Sequence, residues 1–385
     1  MIKSVQIKNF KSVVDLSLDL GSFNVLIGEN GCGKSNILEA IGFGAAASAD
    51  KLDYEFLGSR GIRVTHPDFM YSAFKKAKEK SILISFLIGN RNYVYELINE
   101  NSRKWIDKNI EEIRKTGIFE KLEETKNSIK NFNGDKNEIQ DLKVAFNILE
   151  NKVNEFKIVI NQISNNQDTS SFIIYSPEQS SLRKFEETTQ IYPLGIKGEG
   201  LFQYLKELAF DKKNIKLLNE IKQNLILLDW YEDFDLPENL MQNEFSLNIK
   251  DKYLNANLQY FDQRSTNEGF LFLLFYSTLF ISKTTPSFFA IDNIDASFNP
   301  KLCMQLIRNL AALAKKHNKQ VILTTHNPAI LDGLNLKDDS QRLFVISRNS
   351  EGHSRAERIN YNENRTMKLS EVWTKGFIGG LPSNF

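Results

Sequence analysis

Residues Gly28–Ser35 read GENGCGKS, and they follow the apolar run Phe23–Ile27, which reads FNVLI. The spacing matches the pattern G-x-x-x-x-G-K-S between a predicted strand and a predicted helix that begins at Lys34. In this context backbone N–H groups at a helix N-terminus converge on phosphate oxygens. We therefore predict a nucleoside triphosphate site in which Lys34 reaches the β- and γ-phosphates and the Ser35 hydroxyl binds Mg²⁺. The residues predicted to bind the nucleotide are Asn30, Gly31, Cys32, Gly33, Lys34, Ser35 and Asn36.

Two later apolar runs supply the residues expected beside this loop. Ser287–Asp292 reads SFFAID. An acidic residue at the end of such a strand is typical of the group that holds Mg²⁺ through water, so Asp292 is predicted as a metal-binding residue. Val321–Asn327 reads VILTTHN, a strand that ends at His326. A histidine there can contact the γ-phosphate or the attacking water, which makes His326 a candidate catalytic residue.

The hydrophobic pattern divides the chain into three parts. Residues 1–102 are rich in predicted strands, residues 103–168 are polar and helical, and residues 169–385 mix strands, including Tyr253–Phe261, with helices. In the middle part apolar side chains recur in steps of three and four, which is the spacing of a coiled-coil seam. The seam positions are Ile118, Leu122, Thr125, Ile129 and Phe132, then Ile139, Leu142, Phe146, Leu149, Val153, Phe156, Ile160 and Ile163. We predict an antiparallel helical hairpin inserted into one α/β head.

The composition restricts the setting in which the protein works. The 49 Lys and Arg residues nearly balance the 48 Asp and Glu residues, so contact with nucleic acid would require a local basic patch. Only Cys32 and Cys303 occur, which disfavours a disulfide framework or a zinc site and fits a reducing compartment. Met1 leads directly into a strand-like segment, and the longest apolar run, Phe270–Ile281, is too short to span a bilayer. We therefore expect a cytoplasmic protein with no membrane partner.

Three motifs together resemble a known family. GENGCGKSNILEAI, FFAIDNIDASFNP and ILTTHNPAILDGL are similar to the SMC/RecF-like branch of ABC-type ATPases, and they occur in that family's order. TTHNPAILDGL also resembles the ATPase subunits of bacterial antiphage systems of the OLD, Septu, PARIS and Gabija groups. The resemblance implies an ABC-type P-loop ATPase head with a mixed sheet and an antiparallel β lobe. Residues 1–102 would form its N-terminal lobe, residues 103–168 a short coiled-coil arm, and residues 169–385 its C-terminal lobe.

The same resemblance implies that two heads enclose two molecules of ATP with Mg²⁺, each nucleotide meeting a signature loop of the other head. Ser265–Gly269, which reads STNEG, lies where that loop is expected. It departs from the usual serine-x-glycine form, and its predicted signature residues are Asn267, Glu268 and Gly269. A glutamine that contacts the site from the adjoining lobe is also implied, and either Gln179 or Gln190 could supply it.

The largest departure from the family pattern is Asn293. The family normally has a glutamate directly after the Mg²⁺-binding aspartate, where it polarises the attacking water. An asparagine amide can position a water molecule but cannot accept its proton. Because a general base contributes a factor on the order of 10²–10⁴ in rate, we expect slow hydrolysis unless Asp295 or His326 substitutes. Asn293, Asp295 and His326 are therefore the candidate catalytic residues.

These features predict an ATPase that gates a separate effector protein, such as a nuclease or a toxin, in antiphage defence. The sequence contains no nuclease motif of its own, which is why the effector is expected on another polypeptide. Two alternatives remain open: a nucleotide-locked scaffold that sequesters a toxic partner, and a RecF-like DNA-repair ATPase that binds nucleic acid itself. A transporter ATPase is disfavoured by the poor signature.

Overall fold

A computed structural model describes residues 1–74, 80–100, 104–130, 136–164, 167–184, 191–237, 246–255 and 257–381. Gln190, one of the two predicted glutamine contacts, and Phe132, a predicted seam residue, lie outside the described residues. Among the helices in these ranges, none is both long enough and apolar enough to cross a bilayer.

The first sheet is antiparallel and begins the chain. Alternating apolar side chains put one face of β1 into the core, as the period of two requires. In the described residues this sheet has five strands in the order β2-β1-β4-β5-β6. The strands are β1 (Ile2–Phe10), β2 (Val13–Asp19), β4 (Ile82–Ile88), β5 (Arg91–Asn99) and β6 (Trp105–Asp107).

The second sheet carries the functional strands and is mainly parallel. Its described strands have the order β13-β12-β3-β11-β10-β7. Only β13 is antiparallel to its neighbour, and the central strands are apolar on both faces, as expected of strands covered on both sides. The strands are β3 (Phe23–Ile27), β7 (Ile174–Tyr175), β10 (Phe288–Ile291), β11 (Gln320–Thr325), β12 (Gln341–Arg348) and β13 (Ser354–Ile359). A separate hairpin pairs β8 (Tyr231–Asp235) with β9 (Asn248–Asp251).

Helices cover the two faces of the second sheet. One face packs with α1 and the antiparallel sheet in a single apolar cluster, and the other packs with α9 to α12. The helices are α1 (Lys34–Ser48), α2 (Tyr54–Ser59), α3 (Pro67–Met70), α4 (Lys108–Lys115), α5 (Ile118–Lys130), α6 (Lys136–Ser164), α7 (Gln167–Ser170), α8 (Gln179–Lys184), α9 (Leu201–Phe210), α10 (Ile215–Asn224), α11 (Glu268–Ile281), α12 (Pro300–Lys316) and α13 (Leu369–Thr374). Short 3-10 turns cover Leu225–Leu227 and Pro328–Gly333. This is the α/β head predicted from the sequence.

The helical insertion begins slightly later than predicted. Residues 105–107 form β6 and pair with β5, so the antiparallel sheet extends past residue 102 to Asp107. Beyond it, α5 and α6 contact each other. Their described side chains at the predicted seam positions are buried or half-buried, whereas the other described side chains of both helices are exposed. The side chains of Phe156, Ile160 and Ile163 are outside this description, and the coiled-coil arm remains a prediction.

One predicted strand is wrong. Tyr253–Phe261 forms no strand in its described residues, and only Phe261 makes an isolated bridge, to Ile249. Tyr253 and Leu258 are among the most exposed apolar side chains described. Their hydrophobicity predicted that these side chains would be buried, but the described residues around them leave them exposed.

Candidate nucleotide-binding site

Parallel pairing brings three predicted motifs to one edge of the second sheet. Strand β11 lies between β3 and β10, and all three run in the same direction. Their carboxyl ends therefore place the phosphate loop, Asp292 and His326 side by side, where ligands commonly bind in open α/β sheets. A cleft of about 300 Å³ opens there. Its lining residues are Asn30, Gly31, Gly33, Lys34, Ser35, Asn36, Arg63, Asp292, Asn293, His326 and Arg348.

Two glycines give the phosphate loop its shape. Gly31 has a φ of 76° and Gly33 a φ of 109°, both in the left-handed region that favours glycine. A Cβ atom on Gly33 would lie 2.1 Å from Ser354 Oγ, whereas one on Gly31 would meet nothing within 4 Å. Residue 33 therefore has to be glycine for two reasons, its left-handed backbone conformation and the lack of space for a side chain. Helix α1 starts directly after it, at Lys34. The N–H groups of the first turn are thus available to an anion.

A buried hydroxyl pair supports this loop from behind. Ser12 Oγ and Ser354 Oγ are 2.7 Å apart, and Ser354 Oγ donates to the Cys32 carbonyl at 2.7 Å. Asn36 Nδ2 donates to Ser12 Oγ at 2.7 Å. Asn36 thus lines the cleft and is also fixed by its hydrogen bond to Ser12. Cys32, in contrast, is buried and does not line the cleft. Neither serine was predicted, because no local pattern joins residues so distant in sequence.

The Lys34 amine is held inside the loop. Lys34 Nζ donates to the carbonyl oxygens of Gly28 at 2.8 Å and Glu29 at 3.0 Å, and it lies 3.4 Å from His326 Nδ1. Burial lowers the pKa of Lys34 from its ordinary value. The lysine is nevertheless surrounded by acceptors, so a cation is stabilised at the position where phosphate is expected.

Asp292 and Ser35, the predicted Mg²⁺ ligands, lie together on one side of the cleft. Ser35 Oγ donates to Asp292 Oδ2 at 2.9 Å, and Thr324 Oγ1 donates to Asp292 Oδ1. A hydroxyl and a carboxylate are the hard oxygen ligands that Mg²⁺ accepts, and the ion usually takes its other ligands from phosphate and water. Among the described residues no group of three His, Cys, Asp or Glu could hold a metal ion. The donor set therefore fits Mg²⁺ bound together with a nucleotide.

The three candidate catalytic residues occupy different positions. Asn293 is exposed in the cleft and has a φ of 56°, and its backbone N–H donates to Thr324 Oγ1 at 2.9 Å. His326 also lines the cleft, and partial burial, then the charge of Lys34, lowers its pKa. Asp295 does not line the cleft; it accepts a 2.6 Å hydrogen bond from Thr325 Oγ1. Asn293 and His326 are thus placed to contact a nucleotide, and Asp295 is set back.

Two arginines in the cleft were not predicted from the sequence. Arg63 follows α2 and pairs with Glu39, a buried residue of α1 that also pairs with Lys11. The hydrogen bond from Arg63 to Glu39 raises the pKa of Arg63. Arg348 is the last residue of β12. No motif marks either residue, since each reaches the cleft through packing between distant parts of the chain.

The predicted signature residues surround the N-terminus of α11. Asn267 caps this helix, accepting a 2.9 Å hydrogen bond from the Phe270 N–H, and Glu268 accepts one of 2.7 Å from Ser297 Oγ. Asn267, Glu268 and Gly269 line a second cavity of about 420 Å³, which shares no lining residue with the nucleotide cleft. Within the described part of the chain, no residue lines both cavities.

Gln179, one of the two candidates for the predicted glutamine contact, does not line the cleft. Gln179 begins α8, four residues after β7 ends at Tyr175, and its side chain is exposed. It is absent from the residues that line the cleft. Gln190, the alternative, lies outside the described residues.

Comparison with known proteins shows which family the chain belongs to. Residues 23–332 match the family described as "AAA domain, putative AbiEii toxin, Type IV TA system". No curated protein matches the chain. Two similar solved structures are an SMC head bound to the C-terminal winged-helix domain of ScpA and the Pyrococcus furiosus Smc head with an extended coiled coil bound to the C-terminal domain of ScpA.

These structural matches cover nearly whole chains at low identity. The first has 15% identity and a TM-score of 0.54 and covers 93% of this chain and 98% of the SMC head. The second has 14% identity and a TM-score of 0.50 and covers 97% and 98%. At such identity they establish the fold, while the sequence match covers most of the chain. The protein belongs to the AAA-domain family of that description and has the fold of an SMC/RecF-like ABC-type ATPase head.

Proposed function

We propose that this chain binds Mg-ATP, hydrolyses it slowly, closes onto a second copy of itself around the nucleotide and gates a separate effector protein. One observation carries the proposal. Lys34, Ser35 and Asp292 share one cleft, and the residue that follows Asp292 there is an amide instead of a carboxylate.

ATP binding is supported by the charge and shape of the cleft. Lys34 and Arg63 provide positive charge, and the first turn of α1 provides backbone N–H groups. Mg²⁺ would be held by Ser35 and Asp292 and would neutralise charge that develops on the phosphates. The family to which the chain belongs is one of ATPase domains, which favours ATP as the nucleotide.

Slow hydrolysis is supported by the chemistry of Asn293. Its amide can orient a water molecule in the cleft, but it has no useful basicity. His326 is the nearest alternative base, because its lowered pKa keeps the imidazole neutral near pH 7 and thus able to accept a proton. The Lys34 amine at 3.4 Å competes for the same ring nitrogen. We therefore expect turnover well below that of a head with a carboxylate at residue 293.

Closure onto a second copy is supported by the separation of the two sites. The nucleotide cleft and the cavity at the N-terminus of α11 share no lining residue. A nucleotide in the cleft would contact Asn267 only from another copy of the chain. The first turn of α11 offers that nucleotide N–H groups and a favourable helix dipole.

Action through a separate effector is supported by the comparisons. The matched family is named for a toxin of a toxin–antitoxin system. In the similar solved structures the SMC head is bound to a domain of another protein, ScpA. We place the chain in the same type of arrangement, with ATP occupancy biasing the head between two states that a partner distinguishes. We propose antiphage defence as the setting, because TTHNPAILDGL resembles the ATPase subunits of bacterial antiphage systems.

Asn293 also favours a second function, a nucleotide-locked scaffold that holds a toxic partner inactive. In that case bound ATP would act as a structural clamp. Hydrolysis would be negligible, and the closed dimer would be the active form.

The test compares ATP turnover and ATP affinity of the wild type, Lys34→Ala, Asn293→Asp and Asn293→Glu in the presence of Mg²⁺. Asp is included because it tolerates a positive φ better than Glu does. A switch ATPase predicts measurable turnover that Lys34→Ala abolishes and that a carboxylate at residue 293 raises by about 10²-fold or more. Tight binding with no wild-type turnover would favour the clamp, and no ATP binding would overturn both functions.

Dimerisation is tested separately with Asn267→Asp. Aspartate is also a good helix cap, so the fold and the cleft should be retained, but its charge would repel a phosphate. We expect light scattering to show an ATP-dependent dimer for the wild type and a monomer that still binds ATP for the variant. An Asn267→Asp protein that dimerises normally would exclude this face from the interface.

A further inference from the structure

Arg348 lies at the edge of the nucleotide cleft on the side away from the metal-binding residues. It ends β12, which pairs in parallel with β3 at Val345 and Ile27. The phosphate loop follows β3 directly, so Arg348 flanks that loop. Its side chain is exposed and lines the cleft.

Arg348 differs from the other two cations of the cleft, Lys34 and Arg63, because its guanidinium is not paired with another described group. Lys34 donates to two backbone carbonyl oxygens, and Arg63 is paired with Glu39. Within the described ranges of the chain, the Arg348 guanidinium makes neither a hydrogen bond nor an ion pair. An unpaired guanidinium beside a phosphate loop is available to a ligand without breaking an existing contact.

The strand order shows which end of a bound nucleotide Arg348 would meet. The spatial order β12-β3-β11-β10 places three strand spacings between Arg348 and Asp292. At about 4.8 Å for each spacing, this separation is about 14 Å. Arg63 lies toward the other end, because it pairs with Glu39, one turn along α1 from the Ser35 whose hydroxyl donates to Asp292. Mg²⁺ and the γ-phosphate would therefore lie near Asp292 and Arg63, and the nucleoside would extend toward Arg348.

We propose that Arg348 binds the nucleoside part of the nucleotide, with its planar guanidinium stacked on the base. Arginine is suited to this contact because its charge is delocalised, weakly hydrated and able to lie against an aromatic face. The proposal rests on the nucleotide site proposed above and adds a nucleoside-binding residue to it. Lysine at this position would keep the positive charge but would have no planar group to stack on the base.

The experiment measures equilibrium affinities for ATP, ADP and inorganic triphosphate with the wild type, Arg348→Ala, Arg348→Lys and Arg355→Ala. Arg355 is an exposed arginine of β13 that does not line the cleft, so it controls for loss of a surface charge. We expect Arg348→Ala to weaken ATP and ADP equally, by about tenfold, and to leave inorganic triphosphate unchanged. Arg348→Lys should resemble Arg348→Ala, and Arg355→Ala should resemble the wild type.

Several results would overturn the assignment. A loss confined to ATP would place Arg348 at the γ-phosphate, and an equal loss for inorganic triphosphate would make it a phosphate ligand. Unchanged affinities for all three ligands would remove Arg348 from the site while leaving the proposed function intact. A wild type that binds neither ATP nor ADP would instead refute the proposed function on which the assignment rests.

Discussion

The two sides of the cleft differ in how completely they meet the requirements of their chemistry. The phosphate loop after β3 has a glycine, Gly33, where a side chain would clash, a buried lysine and the start of a helix. The segment after β10 has Asp292 with both carboxylate oxygens accepting hydrogen bonds, but an amide at Asn293. In the proposed function, the first side supplies the groups that bind phosphate, and the second lacks the carboxylate that would speed hydrolysis.

The proposed function thus assigns ATP binding and ATP turnover to separate elements of this fold. A loop and a helix N-terminus hold phosphates by geometry alone, whereas hydrolysis also requires a group of suitable basicity at one atom. Substitutions on the two sides should therefore have separable effects. Four predictions test that separation, in decreasing order of the expected effect.

Asp292→Asn should have the largest effect and should act on turnover. The variant loses the anionic ligand for Mg²⁺, a contribution worth several kcal/mol, so turnover should fall by about 10³-fold. ATP affinity measured without Mg²⁺ should change little, because the phosphate loop is intact. Asp295→Asn is the matched control, since Asp295 is outside the cleft lining. An equal loss of turnover in that control would make Asp295 part of the chemistry.

Gly33→Ala should act on binding and on stability. A Cβ atom there would meet Ser354 Oγ at 2.1 Å and Ser12 Oγ at 2.7 Å, in addition to the cost of a left-handed backbone. We expect about 3 kcal/mol lower free energy of unfolding and weaker ATP binding. Gly31→Ala has only the backbone cost, about 1 kcal/mol.

Thermal unfolding and ATP titration measure both changes. The double variant Gly33→Ala, Ser354→Gly should recover part of the loss, because it removes the hydroxyl that clashes. Equal destabilisation by Gly31→Ala and Gly33→Ala would show that the hydroxyl pair does not constrain the loop.

Gly380→Ala should have a smaller effect on the same side of the cleft. Gly379 and Gly380 have φ values of 72° and 76° in the turn after α13. A Cβ on Gly380 would lie 2.5 Å from Val345 Cγ1 and 3.5 Å from the Gly28 Cα, but one on Gly379 would meet nothing within 4 Å. We expect Gly380→Ala to lower ATP affinity severalfold and Gly379→Ala to leave it unchanged. Equal ATP affinities of the two variants would mean that this turn does not support the phosphate loop.

The smallest expected effect is a pH dependence that arises from His326, which lies between the two sides. Its folded-state pKa is lowered, so the unfolded chain takes up a proton first as the pH falls below about 6.5. Stability contributed by neutral His326 is therefore present above that pH and is lost below it. We expect His326→Gln to show a smaller decrease in the free energy of unfolding between pH 7 and pH 5. Identical pH profiles would show that His326 is not the responsible group.

The local parts of this structure were accessible from the sequence. Strand Phe23–Ile27 has the predicted bounds, and helix α1 begins at Lys34 as predicted. The apolar run and the glycines that mark this strand, loop and helix start act within a few residues. Tyr253–Phe261 shows the limit of this reasoning, because an apolar run predicts a strand only when a partner is available to cover it.

The sequence by itself determined the glycine-rich loop, the aspartate that ends the β10 segment and the amide at residue 293, because each depends on residue types in short, ordered motifs. Only the tertiary structure decided that Arg63, Arg348, Ser12 and Ser354 belong to the same site. Those residues approach the loop through the order of strands and the packing of two sheets around α1. Strand order is set by burial and pairing between segments far apart in the chain, and a single sequence carries no local pattern from which to read it.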